Sequence, residues 1–333
     1  MVMKKFINKP ENLTTELLEG YAMAYKDVVK IESGKIVVRT NAKAEDKVAI
    51  ISMGGAGHEP AISGFVGEGM LDASVVGDIF AAPGAPKVLE ALRMFKRDAG
   101  ILLVVLNHAG DVMSANMAMQ MAEREGINVK MLLTAEDISA GLDTPEEDRR
   151  GLGGCIPLYK VAGAAAEQGK SLTEVFDVAT RFNGQMATLA VAMTGATHPQ
   201  NGAVISTLPD DEMEIGMGQH GEAGGGRSKI LSADETAEKM ILPLVEDTKT
   251  KSGDDVLLII NGTGATTHME MNIVFRKACQ ILESKGINVA AGKIGELLTV
   301  QEMGGFQMIL CRLDKDHKEL IAARANTPYW VTV

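Results

Sequence analysis

A chain of 333 residues is too long for one ordinary domain and fits about two. With 46% hydrophobic and 23% charged residues it buries a core without disulfide or metal staples. Its 44 acidic against 33 basic residues leave a formal charge of −11, and 4% are aromatic, which argues against nucleic acid or anionic membrane as the main ligand.

The N-terminal Lys4-Lys5-Phe6 is followed by Asn8-Lys9-Pro10-Glu11-Asn12, where an export signal would be apolar. No apolar run approaches the ~20 residues of a membrane span. Strands are expected at Ile36 to Arg39, at Val48 to Met53 ending in Gly54-Gly55, and at Ala73 to Val76. A helix is expected over Pro86 to Arg97, then the buried strand Gly100 to Leu106. Next come a helix from Ser114 to Glu125, closed by Gly126, and a strand from Val129 to Leu133. A charged loop from Asp143 to Gly154 leads to a helix from Tyr159 to Gln168.

The second half opens with a strand over Met186 to Met193, and a short alternating run starts at Glu212. Asp255 to Ile260 is a buried strand, His268 to Ser284 a helix, and Ile287 to Ala290 and Phe306 to Arg312 the last strands. Alternating strand, loop and helix predicts an α/β protein of two domains with mainly parallel or mixed sheets, helices on their faces and the site between them. The first domain covers 1–185 with a returning tail over about 320–333, and the second covers 186–319. Cys155, Cys279 and Cys311 are odd in number and far apart, so neither a disulfide framework nor a zinc site is expected and the expected compartment is the reducing cytoplasm.

Three loops carry candidate chemistry. Gly54-Gly55-Ala56-Gly57-His58-Glu59-Pro60 follows a strand, where open α/β sheets hold ligands. Its glycines allow close backbone approach, Pro60 suits a first helical turn, and His58 is placed as general acid or base. No phosphate-loop Lys follows. The alternative is a tight strand–helix turn with an exposed His. Asn107-His108-Ala109-Gly110-Asp111 follows the strongest strand, and Asp111 is either a general base or a helix cap. Around His220, Gly216 to Arg227 is glycine-dense. A neutral imidazole there can attack a ketone carbonyl, and the alternative is a flexible loop. The Asn261 to Thr266 turn reads as loop geometry. His198, His317, Asp137 and Glu146 to Asp148 read as surface polar groups, and Trp330 as docking the tail. HExxH, GxSxG and calcium-loop patterns are absent.

Together with Gly69-Met70-Leu71-Asp72-Ala73, Gly110-Asp111-Val112-Met113, Arg149-Arg150-Gly151, Glu212-Met213-Glu214 and Gly221-Glu222, these loops resemble one family over nearly the whole chain. It is the DhaK type, the dihydroxyacetone-binding subunit of phosphotransferase-dependent dihydroxyacetone kinase. The resemblance implies that His220 forms a covalent hemiaminal with the ketone, while His58 and Asp111 assist transfer to its hydroxyl. Gly54, Gly55, Gly57, Ala82, Asn107, His108 and Gly218 would line the substrate. It implies a homodimer with no cofactor or metal on this chain. ADP/ATP and Mg2+ would sit on a DhaL-type nucleotide-binding subunit, recharged from phosphoenolpyruvate through a DhaM-type phosphocarrier. Single-chain kinases of this kind append a nucleotide-binding domain, and this chain is expected to supply only the substrate half.

The chain departs from the pattern. Many members carry Thr-Ser at Ala81-Ala82, Lys at Leu106, Tyr at His108 and Pro at Ala223. Losing a partner for a substrate hydroxyl costs about 1–3 kcal/mol. A kinase subunit for dihydroxyacetone or a related short ketose such as an erythrulose is therefore one expectation. A non-catalytic ketone-binding co-activator of a transcription regulator is another. A nucleotide-dependent α/β enzyme using Gly54 to Gly57 is the third.

Overall fold

The computed structural model describes residues 4–222 and 224–333, so the Ala223 position lies outside the described residues. After helix α1 (Leu13–Ala24), the first sheet comprises β1 (Val29–Glu32), β2 (Ile36–Arg39), β3 (Ala49–Ala56), β4 (Ala73–Ile79), β5 (Ile101–Leu106) and β6 (Val129–Thr134). Their order is β1-β2-β4-β3-β5-β6. β4, β3, β5 and β6 run parallel, and β1 and β2 close one edge antiparallel. Every residue of β5 is buried, as an interior strand covered on both faces must be. Its Ile101, Leu103 and Val105 pack with α2 (Ala85–Met94) and α3 (Ala109–Arg124), while Leu102 and Val104 face α4 (Cys155–Glu167) and α5 (Leu172–Asn183).

The second sheet comprises β7 (Met186–Ala192), β8 (Glu212–Ile215), β9 (Gly226–Lys229), β10 (Asp255–Gly262), β11 (Asn288–Gly295) and β12 (Gly305–Leu313), in the order β11-β10-β12-β7-β8-β9. Only the β10–β11 pair is parallel. Helices α6 (Ala233–Asp247) and α7 (His268–Ser284) cover one face. On the other face Leu257, Ile259, Ile309 and Cys311 join the core that contains α4.

Helix α4 thus lies between the two sheets, and all its residues but Glu167 are buried. A helix buried all round has no solvent face to keep, and its one internal charge, Lys160, donates to Leu320 O at 2.6 Å. Its small residues permit close approach: a Cβ on Gly163 would lie 2.4 Å from the Met70 Cα. Gly→Ala inside a helix normally stabilises by about 1 kcal/mol. Gly163→Ala is expected instead to destabilise by about 1–3 kcal/mol, read as a lower urea midpoint, because fixed backbone must move.

Helix α8 (Lys315–Ala322) and the hairpin of β13 (Ala325–Asn326) and β14 (Val331–Thr332) end the chain. This tail runs back to the first sheet's loops: Asn326 N donates to Glu68 O at 2.9 Å and Tyr329 N to Gly64 O at 3.1 Å. Trp330 is buried. Among the described residues no helix is long and apolar enough to cross a membrane.

Some local expectations are corrected. No helix starts at Pro60; residues 59–62 form turns and only a 3-10 turn, Ser63–Phe65, follows. The carbonyls that would open a helix are taken from the other sheet's loops: Thr299 N binds His58 O, and Thr299 Oγ1 binds Glu59 O. Helix α2 ends at Met94 rather than Arg97. Helix α4 starts at Cys155 rather than Tyr159, since Pro157 fits a first turn. Helix α3 starts at Ala109 rather than Ser114, which places Asp111 in its first turn. Helices α5 and α6 went unread although each has a capping box, Ser171 with Glu174 and Ser232 with Glu235.

Candidate functional site

The ends of β3 and β5 meet loops of the second sheet. Gly54 and Gly55 lie in the last residues of β3, where space is short: a Cβ on Gly55 would lie 2.7 Å from Ala81 N. Gly57 takes φ +104°, a left-handed conformation that favours glycine. Its N–H donates to the Glu59 carboxylate at 3.0 Å, and its carbonyl accepts from Gln301 Nε2 at 3.0 Å. These contacts fix the loop that presents His58.

His58 is buried, not exposed. Its Nδ1–H donates to Thr299 O at 2.8 Å, which leaves the lone pair on Nε2. That atom lies 3.1 Å from His220 Nε2. His220 Nδ1 lies 3.2 Å from Glu222 Oε1, while the His220 backbone N–H donates to Glu222 Oε2 at 2.9 Å. With Nδ1–H donating to the carboxylate, His220 also turns a lone pair toward His58. Two lone pairs then face each other, and only a proton or another electrophile between them relieves the repulsion.

Aromatic rings close the site. Phe80 lies 4.9 Å from the His58 ring, 5.8 Å from His220 and 5.3 Å from His198, centroid to centroid. His198 therefore stands at the rim and not in the isolated surface setting expected. His108 is 5.3 Å from the His220 ring. Its Nε2–H donates to Gly151 O at 2.8 Å, and the Gln219 amide lies 2.9 Å from the same nitrogen. It is the Gln219 Nε2 that faces His108, and Gln219 Oε1 is buried without a hydrogen-bond partner among the described residues.

Asp111 does not cap α3; the N-cap is His108, with no side-chain cap bond. Its Oδ1 is buried without a hydrogen-bond partner among the described residues. Burial pushes its carboxyl up to about 6, opposed by the nearby His220 charge. Burial and then His220 lower His58 to about 3, so it is neutral near pH 7. Burial also lowers His108. Glu222 goes the other way: burial works to raise it, but hydrogen bonds from His220 and the backbone hold it below the usual carboxylate range.

Not every candidate reaches the site in the expected role. Asn107 Nδ2 donates to Glu147 O at 2.9 Å and Arg149 O at 2.7 Å, so its donors brace the charged loop. Leu106 is buried. Ala82 packs near Gly110, 3.5 Å from where a Cβ there would sit. Gly218 is buried with its N–H on Glu222 O at 2.8 Å, and a side chain there would strike Glu222 and Arg150. Asp137 is buried and paired with Arg150, and His317 is buried beside Phe182, so neither is a surface group. Asn261 accepts from Leu297 N and Leu298 N and donates to Leu298 O. The Asn261 turn thus braces the loop that delivers Thr299.

Sequence reasoning missed Phe80, Thr299, Gln219 and Glu136. Glu136 Oε1 accepts from Leu152 N at 2.8 Å and Gly154 N at 2.9 Å, which fixes the loop whose Gly151 carbonyl holds His108. Burial pushes this carboxyl up to about 7 despite those donors. A Glu136→Ala protein is expected to keep its fold but lose about 1–3 kcal/mol, since two buried N–H groups lose their acceptor. Denaturant titration measures the loss.

Comparison with known proteins gives one consistent answer. A family model described as the Dak1 domain matches residues 19–329. The dihydroxyacetone-binding subunit DhaK of a PTS-dependent dihydroxyacetone kinase from Lactococcus lactis subsp. lactis is 36% identical, covering 94% of each chain. The DhaK subunit of PTS-dependent dihydroxyacetone kinase 1 from Listeria innocua is 34% identical, covering 98% of this chain and 100% of its own. A solved structure described as the dihydroxyacetone kinase operon co-activator Dha-DhaQ superposes with a TM-score of 0.90 at 30% identity, over 96% of this chain and 98% of its own. With sequence and fold agreeing from end to end, this chain belongs to the Dak1 domain family.

Proposed function

We propose that this chain is the substrate-binding subunit of a dihydroxyacetone or related short-ketose kinase, holding the ketone on His220 while a partner supplies the phosphoryl group. The observation that carries this reading is the pairing of His220 Nε2 with His58 Nε2 at 3.1 Å beside a carboxyl that has no partner for its Oδ1. Among the described residues it is the place where a nucleophile, an orienting carboxylate and a free base converge.

The chemistry follows from the tautomers. Glu222 holds the Nδ1–H of His220, so the Nε2 lone pair bonds to the carbonyl carbon. The C=O π pair moves to oxygen, which takes a proton from solvent. The charge left on the ring is faced by the Glu222 carboxylate. His58, neutral and held by Thr299, then has the new hydroxyl or the reacting oxygen as the partner for its own lone pair. Glycerol has no carbonyl and forms no such bond, so the adduct selects ketones. Asp111, raised toward neutrality, accepts the proton of the terminal hydroxyl as it is phosphorylated. Nucleotide and Mg2+ belong on a DhaL-type partner, recharged by a DhaM-type phosphocarrier, and the chain works as a homodimer in the cytoplasm. Leu106 and Ala82 carry no hydrogen-bonding side-chain group, which suits a ketose with fewer hydroxyl contacts there.

The test is intact mass under non-acidic conditions with dihydroxyacetone, an erythrulose and glycerol, followed by turnover with the partner subunit. A ketone adduct plus turnover supports the proposal. An adduct with every short ketose left unphosphorylated overturns the kinase and leaves a ketone-binding co-activator. Turnover on nucleotide without any partner overturns the division of labour.

A further inference from the structure

The side chains of His108, His220 and Glu222 bring one ligand atom each within 4.8 Å of one another. No sequence spacing announces this set, because His108 comes from the end of β5 and the other two from a loop of the second sheet. We propose that these three residues form a site for one divalent transition-metal ion of the zinc type, with a fourth position open.

Two imidazoles and one carboxylate with an open position are a donor set that zinc accepts. On a tetrahedral ion with bonds of about 2.0–2.2 Å, neighbouring ligand atoms lie about 3.3 Å apart. His220 Nδ1 and Glu222 Oε1 are 3.2 Å apart. Glu222 is pinned for this by the His220 N–H on its other oxygen, at 2.9 Å. The second contacts are those that ligating histidines make. His108 gives its Nε2–H to Gly151 O, which leaves Nδ1 as its lone-pair atom.

The metal also resolves the conflict between His58 and His220. Neutral His220 serves one neighbour at a time, since Glu222 and His58 both present acceptors to it. With an ion on Nδ1, its proton moves to Nε2 and donates to His58 Nε2 at 3.1 Å, and His58 in turn donates to Thr299 O. Every imidazole nitrogen in that relay then has a partner. Arg150 is the opposing charge, with Nη1 4.0 Å from Glu222 Oε2, and it is neutralised by Asp137 through Nε at 2.7 Å.

One consequence rests on the function proposed above: an ion on Nδ1 leaves a proton on Nε2, so metal and ketone adduct exclude each other. The metal site itself does not depend on that function.

The test starts from the full chain stripped with a chelator and titrated with Zn2+, and with Co2+ as a coloured probe, without ketone. One equivalent is expected, with Co2+ giving tetrahedral d–d bands and no thiolate charge-transfer band. His108→Phe and Glu222→Gln are each expected to weaken binding at least tenfold, and Cys279→Ser to leave it unchanged. Absence of a one-equivalent phase overturns the proposal, as do binding unchanged in both ligand variants or a thiolate band lost in Cys279→Ser. If a ligand variant fails to fold, the Co2+ spectrum of the wild-type chain decides by itself. Intact mass with ketone, with and without one equivalent of Zn2+, reads the exclusion. Metal binding with no adduct under either condition removes the ketone function and leaves the site standing.

Discussion

An Asp111→Asn protein is expected to retain its ketone adduct and lose phosphoryl transfer by about 10²–10⁴-fold. The amide keeps the size and polarity of the side chain and cannot take the hydroxyl proton. The same substitution is expected to raise thermal stability above about pH 6. The sign comes from linkage. The native carboxyl sits at about 6, above its ordinary value of 3.8, so the folded state binds the extra proton between these two values. Stability from this group is present at low pH and is lost as pH rises through the native value. Above it the folded chain holds a buried charge that the amide removes, a gain on the order of 3 kcal/mol. Melting curves at about pH 3.5 and at pH 8 measure it: wild type and variant should converge below the ordinary carboxyl value of 3.8 and separate fully at pH 8. Unchanged turnover, or no separation at pH 8, would dismiss Asp111 as a buried base.

Removing His220, the nucleophile proposed above, has the larger effect on binding. His220→Ala is expected to abolish the mass increase with dihydroxyacetone, since no other imidazole points a lone pair at the same space with a carboxylate behind it. His58 cannot substitute: its Nδ1–H is committed to the neutral Thr299 carbonyl and not to a carboxylate. Glu222→Gln should keep the adduct but weaken it about tenfold or more, because a neutral amide no longer offsets the cationic ring. An adduct unchanged in His220→Ala would end the covalent reading, whatever the fate of turnover.

The fold was largely legible where hydrophobic period and turn residues agreed. β5 is a continuous buried run, and α7 starts at His268 because Thr267 and Glu270 cap it reciprocally. Pro60 misled because a local rule, proline in a first turn, lost to contacts from Thr299 far along the chain. Asp137 and His317 misled for a related reason: polar residues were read as surface groups, yet each has a partner that makes burial tolerable.

The division at the site is similar. Sequence determined the chemical types and their local frames: glycines at 54, 55 and 57, an Asp shortly after the strongest strand, and a histidine two residues before a glutamate. Only the tertiary structure decided their protonation and their partners. Thr299 sets the His58 tautomer across 241 positions of sequence separation, and His58 meets His220 across 162. Burial lifts the Asp111 carboxyl only once α3 is packed into the folded chain. Such effects arise from distance and dielectric, which are properties of the packed chain and have no sequence period.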